Sequence, residues 1–267
     1  MEKSNAFSDK PSLSSREPCI ESSGLCSGAM LKASLIAPRD IIDPLPDELL
    51  QWLHEEEGVA TRLPTGISHT VHFDFESVIV DRLFPLRDSR PFIRRLHAHC
   101  SATATAADVL AELKQQSRKV AWVCGWLHDI GIAACLRHAD EVVPIPDEGA
   151  LEDLWPTIMR SSAHHGIRLA SRWRLPSAVR HTIREHESFV TLQSPSVAVA
   201  ISYVAERIAA MIGFGFRAHA RAPSTDAAMN VLGLAEHEVL GAAARTERRM
   251  REASREPLLQ SATATRG

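Results

Sequence analysis

The sequence lacks most of the features that would place it quickly in a class. Its five cysteines, Cys19, Cys26, Cys100, Cys124 and Cys135, form no C-x-x-C pair and are odd in number, which argues against a zinc ribbon and against a secreted disulfide framework. They read as reduced thiols. No charge sign dominates: the formal net charge is -3, and nothing global points to nucleic acid. The first residues, MEKSNAFSDKPSLSSREP, contain no continuous apolar core behind a basic start, so no signal peptide is expected. The longest apolar stretch, 197–216, is interrupted by Glu206 and Arg207 and is too polar near its middle for a membrane span. A cytoplasmic protein without a membrane partner is expected. Internal repeats, heptads and alternating strand patterns of useful length are also missing, which leaves an all-α class.

What is present is an ordinary globular composition, with 45% hydrophobic and 24% charged residues over 267 positions, enough for a substantial core. Residues 1–38 are rich in Ser, Pro and charge without sustained periodicity, a composition that cannot offset its ordering entropy, so a disordered tail is expected. A helical domain is expected over 39–240, and a C-terminal helix with a frayed end over 241–267.

Within that domain, DELLQWLHEEE reads as a short helix with Asp47 near its start and Gly58 beyond its end. Phe73 to Leu83 and Phe92 to Leu113 carry apolar residues at helical spacing, and the second places His99, Thr103, Ala106 and Leu110 on one face among small alanines. Lys119 to Leu136 is apolar nearly all round, as a central helix buried on several sides would be. Further helices are expected over Leu151 to Trp173, from an N-cap at Ser177 through Glu187, and from near Pro195 to about Ile212, where glycines 213 and 215 stop it. Two weaker helices follow Ala227.

The doublet His128-Asp129 falls in the most hydrophobic of these segments. A buried carboxylate without a partner costs several kcal/mol, so Asp129 needs a cation, hydrogen-bond donors or a metal. With 13 histidines in the chain, a His-Asp pair alone is close to a chance occurrence. Weight comes from the groups elsewhere: His99, His164, His165, His186 and Glu206. Nitrogen and oxygen donors of this kind suit Mn, Fe, Zn or Mg, and a helical bundle can bring them together.

Over roughly Asp74 to Gly213 these residues form an ordered pattern. FIRRLHAHCSATATAADVLA, GWLHDIG and HHGIRLASRWRLPSAVRHTIREHE resemble, in that order, successive segments of the HD superfamily, nearest to its HDOD branch. The resemblance implies a helical bundle with a metal pocket between central helices, holding one or two divalent ions. On that pattern His99 is the first ligand, His128 and Asp129 follow, and Gly166, Trp173, Leu175-Pro176 and His186 match the closing segment. The resemblance further implies metal-assisted phosphoester hydrolysis centred on Asp129, with Glu206 completing the inner site and His165 and His186 holding a second metal. Arg168 and Arg172 would supply positive charge to a phosphorylated small molecule or nucleotide.

Three departures from the pattern point away from turnover. Ser162 stands where the family usually has His, although His165 lies on the same helical face three residues on. Ala205-Glu206 replaces an Ala-Asp pair, and Ile132 stands where hydrolytic members often have Lys. An HDOD-type regulatory module that binds a protein or small ligand without catalysis is therefore the alternative. Each histidine also has a plainer reading as a satisfied core or surface residue, and Glu206 as one half of an ion pair. The C-terminal arginines 245, 248, 249, 251 and 255 are diluted by Glu247, Glu252 and Glu256, which favours an ion-paired surface over nucleic-acid binding.

Overall fold

Helical spacing in the sequence is realised as helix throughout a computed structural model that describes residues 45–54, 68–84, 91–142, 147–216 and 226–264. The tail expected over 1–38 and the expected stop at Gly58 lie outside the described residues. Among the described residues the α-helices are α1 (Asp47–His54), α2 (Ser68–Leu83), α3 (Pro91–Leu113), α4 (Arg118–Leu127), α5 (Ile130–Val142), α6 (Glu148–Arg172), α7 (Ser177–Glu185), α8 (Val197–Ala209), α9 (Asp226–Leu232) and α10 (Glu236–Ala264). No strand occurs among them. The fold is the all-α bundle expected.

Local chemistry accounts for several boundaries. Ser117, Asp147 and Ser196 cap α4, α6 and α8 by accepting from the amides of Val120, Ala150 and Val199. The cap expected of Ser177 is not made: Pro176 holds the N-cap position of α7 and Ser177 is the first helical residue. Proline suits a helix entrance because its fixed φ costs the chain nothing there. α7 also ends at Glu185, two residues short of expectation, and the chain tightens into a 3₁₀ segment over His186–Thr191. α8 gives way at Ala210–Phe214 to a π-type turn in which Gly213 adopts φ 92°.

A larger difference concerns the central segment. The expected single helix from Lys119 to Leu136 is two helices, α4 and α5, broken at His128-Asp129. The His128 ring explains the break. Its Nδ1 donates to the Gly125 carbonyl at 2.7 Å, occupying an acceptor that the next turn of an unbroken helix would use.

α3 is the axis of the molecule and contributes to both apolar clusters. One cluster packs Phe92, Leu96 and Cys100 of α3 with Trp122, Trp126, Ile158 and Trp173; the other packs Val109 and Leu110 with Tyr203, Val204, Ala242 and Ala243. Gly125 permits the closest approach, since a Cβ there would stand 2.4 Å from the Ala104 Cα. Gly131 does the same for α5 against α6, where a Cβ would meet the Ser162 carbonyl oxygen at 1.9 Å. Two stretches, Arg118–Ala139 and Val197–Phe214, are long and apolar enough to span a membrane, but they are 89% and 56% buried within the bundle. Core packing accounts for their composition. Cys100, Cys124 and Cys135 are free and buried.

Candidate metal centre

The break between α4 and α5 turns His128 and Asp129 toward α3 and the end of α7. His99, His128, Asp129 and His186 are all buried. The His99 and His128 Nε2 atoms lie 3.2 Å apart, and each faces Asp129 Oδ2, at 3.6 and 3.4 Å. His186 Nε2 approaches the other carboxylate oxygen, Oδ1, at 3.3 Å. Asp129 thus stands between two groups of imidazoles, with one oxygen toward each.

All three rings are oriented by backbone. His99 Nδ1 donates to the Phe214 carbonyl at 2.9 Å, His128 Nδ1 to the Gly125 carbonyl at 2.7 Å, and His186 Nδ1 to the Thr182 carbonyl at 3.0 Å. Placing the ring proton on Nδ1 leaves Nε2 as a lone pair in a neutral imidazole. For His99 and His128 two such lone pairs then face each other, which is unfavourable unless a cation lies between them. Donor atoms bound to one transition metal at ~2.0–2.1 Å stand roughly 2.9–3.4 Å apart, and the separations here fall within a few tenths of an ångström of that range. The donor set and its backbone supports therefore fit a divalent metal.

The electrostatics agree. Burial and the nearby His128 lower the pKa of His99, outweighing the opposing pull of Asp129 and Glu206, so the ring favours its neutral, donor form. Burial alone would raise the Asp129 pKa, but the charge and hydrogen bonds of His128 and His186 hold it well below the ordinary carboxylate range. For His186 burial opposes the charged ring, yet the hydrogen bond to Asp129, with the charges of Asp129, Glu206 and Glu187, pushes its pKa up to about 9. In the metal-free protein His186 therefore holds a proton against Asp129. Cys100 stays a thiol, pushed up by burial and by the charges of Asp129 and Glu206, and offers no thiolate to the site.

One donor atom from each of His99, His128 and Asp129 lies within 4.8 Å of the other two, and the same holds for Asp129, His186 and Glu187. The remaining residues singled out from the sequence fall elsewhere. His165 is buried on α6, edge-on to His164 at 6.0 Å between ring centroids, and neither group includes it. Glu206 is buried on α8, where its Oε1 accepts from Arg207 Nη1 at 3.0 Å; neither group includes it either. Arg168 and Arg172 are exposed on α6. Ser162 is buried with its hydroxyl donating to the Met159 carbonyl at 3.1 Å, and Ile132 is in the core.

Two residues near the centre escaped the sequence reading. Arg207, one residue from Glu206, lies over the Tyr203 ring at 4.6 Å. Glu187 looked like a surface residue following His186. A carboxylate beside a candidate ligand was the one signal available for it.

Comparison with known proteins agrees with this architecture. The family model of the HDOD domain matches residues 66–189. A similar solved structure is an HDOD domain protein of unknown function from Geobacter sulfurreducens, 17% identical, with a TM-score of 0.50, covering 88% of this chain and 96% of that one. At that identity the likeness speaks for the fold alone. No curated protein matches the sequence. Through residues 66–189 the chain belongs to the HDOD domain family, on an all-α, HD-like fold.

Proposed function

We propose that this domain holds a divalent cation between His99, His128 and Asp129 and acts on a phosphoester, a nucleotide or another phosphorylated small molecule. The observation that carries the reading is the pair of Nε2 lone pairs 3.2 Å apart, each fixed by a backbone acceptor behind it and each facing Asp129. The bound ion would be Mn, Fe, Zn or Mg, and it would supply Lewis-acid polarisation of a phosphoryl oxygen. His99 and His128 contribute neutral nitrogen donors, and Asp129 contributes the negative charge. Burial of the three keeps competing water from the donors. Arg168 and Arg172 are the proposed contacts to phosphate, and their exposure on α6 leaves them accessible to one.

A second reading, binding of a protein or small ligand without turnover, is favoured by the Glu206–Arg207 ion pair. That pair occupies the acid expected to complete the inner site. Metal analysis of protein purified without an affinity His-tag, together with hydrolysis of an aryl phosphoester in Mn(II), separates the two. Bound metal with turnover supports the first reading, and bound metal without turnover the second. Asp129→Ala is expected to lose the metal altogether; unchanged metal content in that variant would overturn both.

A further inference from the structure

We propose that Glu187, with His186 and the Oδ1 edge of Asp129, forms a second cation subsite, so that the Asp129 carboxylate bridges two divalent ions. The inference rests on the metal centre proposed above and adds a ligand to it.

Asp129 presents its two oxygens to different partners: Oδ2 to His99 and His128, Oδ1 to His186 at 3.3 Å. The second edge is not closed by His186 alone. One donor atom from each of Asp129, His186 and Glu187 lies within 4.8 Å of the other two. Two carboxylates held this close repel unless a cation lies between them. The backbone holds them there. Glu187 is the second residue of the 3₁₀ segment and sits between buried His186 and buried Phe189, and the Phe189 ring stacks on Tyr203 at 4.7 Å. Within the same turn Thr191 Oγ1 donates to the Ser188 carbonyl at 2.8 Å. A loop acid with a free rotamer would have to be ordered on binding; this one is placed by its neighbours.

The two subsites differ in chemistry. The first has two imidazole nitrogens and one carboxylate oxygen, all buried. The second has one nitrogen and two carboxylate oxygens, and Glu187 is exposed. An oxygen-rich set open to solvent suits a hard, exchangeable ion, Mn(II) or Mg(II), held more weakly than the first. His186 thus takes Glu187 as its companion ligand, in the place that the sequence pattern gave to His165.

The test is a Mn(II) titration of the full chain, stripped with chelator and free of a His-tag, followed by calorimetry, elemental analysis and electron paramagnetic resonance. Two equivalents are expected, with an exchange-coupled spectrum when both are bound. Glu187→Gln should keep the tighter equivalent and weaken the second at least tenfold, with loss of the coupled signal. Glu187→Asp should recover part of it. Circular dichroism melts of the variants check that the fold is retained, which the exposure of Glu187 leads one to expect. One equivalent in both wild type and Glu187→Gln overturns the second subsite and leaves the first standing. Two equivalents in both overturns the role of Glu187. No binding at all overturns the metal centre and this inference with it.

Discussion

Asp129 and His186 are buried 3.3 Å apart, and each changes what the other's proton costs. The shift in His186, from an ordinary 6.5 to about 9, means that the folded protein binds that proton more tightly than the unfolded chain does. Its stabilisation is complete below about pH 6.5 and is lost as the pH rises through about 9. Asp129 runs the other way. Its folded pKa is depressed, so its contribution is present above the ordinary carboxylate value of about 3.9 and is lost as the pH falls toward the depressed value. Melting of the metal-free protein is therefore expected to be steepest in its alkaline decline between pH 6.5 and 9, at no more than about 1.4 kcal/mol per pH unit from this group. Circular dichroism melts across that range check it, with His186→Gln as control. A decline of the same size in the variant would show that the pair contributes nothing.

At the scale of helices, the centre is built from interruptions. His128 and Asp129 sit where α4 breaks into α5, His186 where α7 tightens into 3₁₀, and the acceptor for His99 lies at the end of the π-type turn after α8. The last has a consequence for Gly213. Its φ of 92° immediately precedes Phe214, whose carbonyl takes the His99 Nδ1 proton, and a Cβ at Gly213 would meet nothing within 4 Å. Alanine there costs backbone conformation alone and involves no clash. Gly213→Ala should tilt the Phe214 carbonyl, release the His99 ring and weaken metal affinity by about tenfold or more, as loss of a group supporting a metal ligand does. Gly213→Asn, which tolerates positive φ better, should retain more of it. Calorimetric Mn(II) binding distinguishes the two; equal affinity in wild type and alanine variant would sink the argument.

These interruptions are also where the sequence was hardest to read. Apolar spacing at 3.6 residues marks α3 and α8 well, because nothing competes with their backbone ladders. The same spacing runs unbroken through 128–129, since the break is caused by a side chain bonding to its own helix, which composition does not reveal. His165 shares a helical face with Ser162, and that was sufficient to suggest it as a ligand; facing inward did not bring it into the cluster. Glu206 was legible as a buried acid needing a partner. That the partner is the adjacent Arg207 ran against expectation, because neighbours in a helix do not face each other. His99, His128, Asp129 and His186 were legible through the ordered motifs that surround them.

For the whole molecule, the open matter is how far the domain extends. The boundary expected at 240/241 falls inside α10, which runs unbroken over Glu236–Ala264. Ala242, Ala243 and Thr246 of that helix are buried, the first two in the same cluster as Val109 and Leu110 of α3. Charge reinforces the contact. Asp108, nearly buried on α3, takes a two-pronged pair from Arg118 at 2.7 Å and a further bond from Arg249 of α10 at 2.6 Å, while Glu112 pairs with Arg245 at 2.7 Å. Arg118 is about half exposed, so its share is discounted for solvent screening. Asp108→Ala is expected to cost about 1–3 kcal/mol, since it strands two guanidinium groups, and Arg249→Ala less, since Arg118 still satisfies the carboxylate. Because α3 also carries His99, a chain ending at residue 240 should unfold at lower urea concentration and bind Mn(II) more weakly than the full chain. Urea denaturation with parallel metal titration measures both. An unchanged midpoint and affinity would make residues 241–264 an appendage, whereas a fall in both would make α10 part of the scaffold that holds the metal centre in shape.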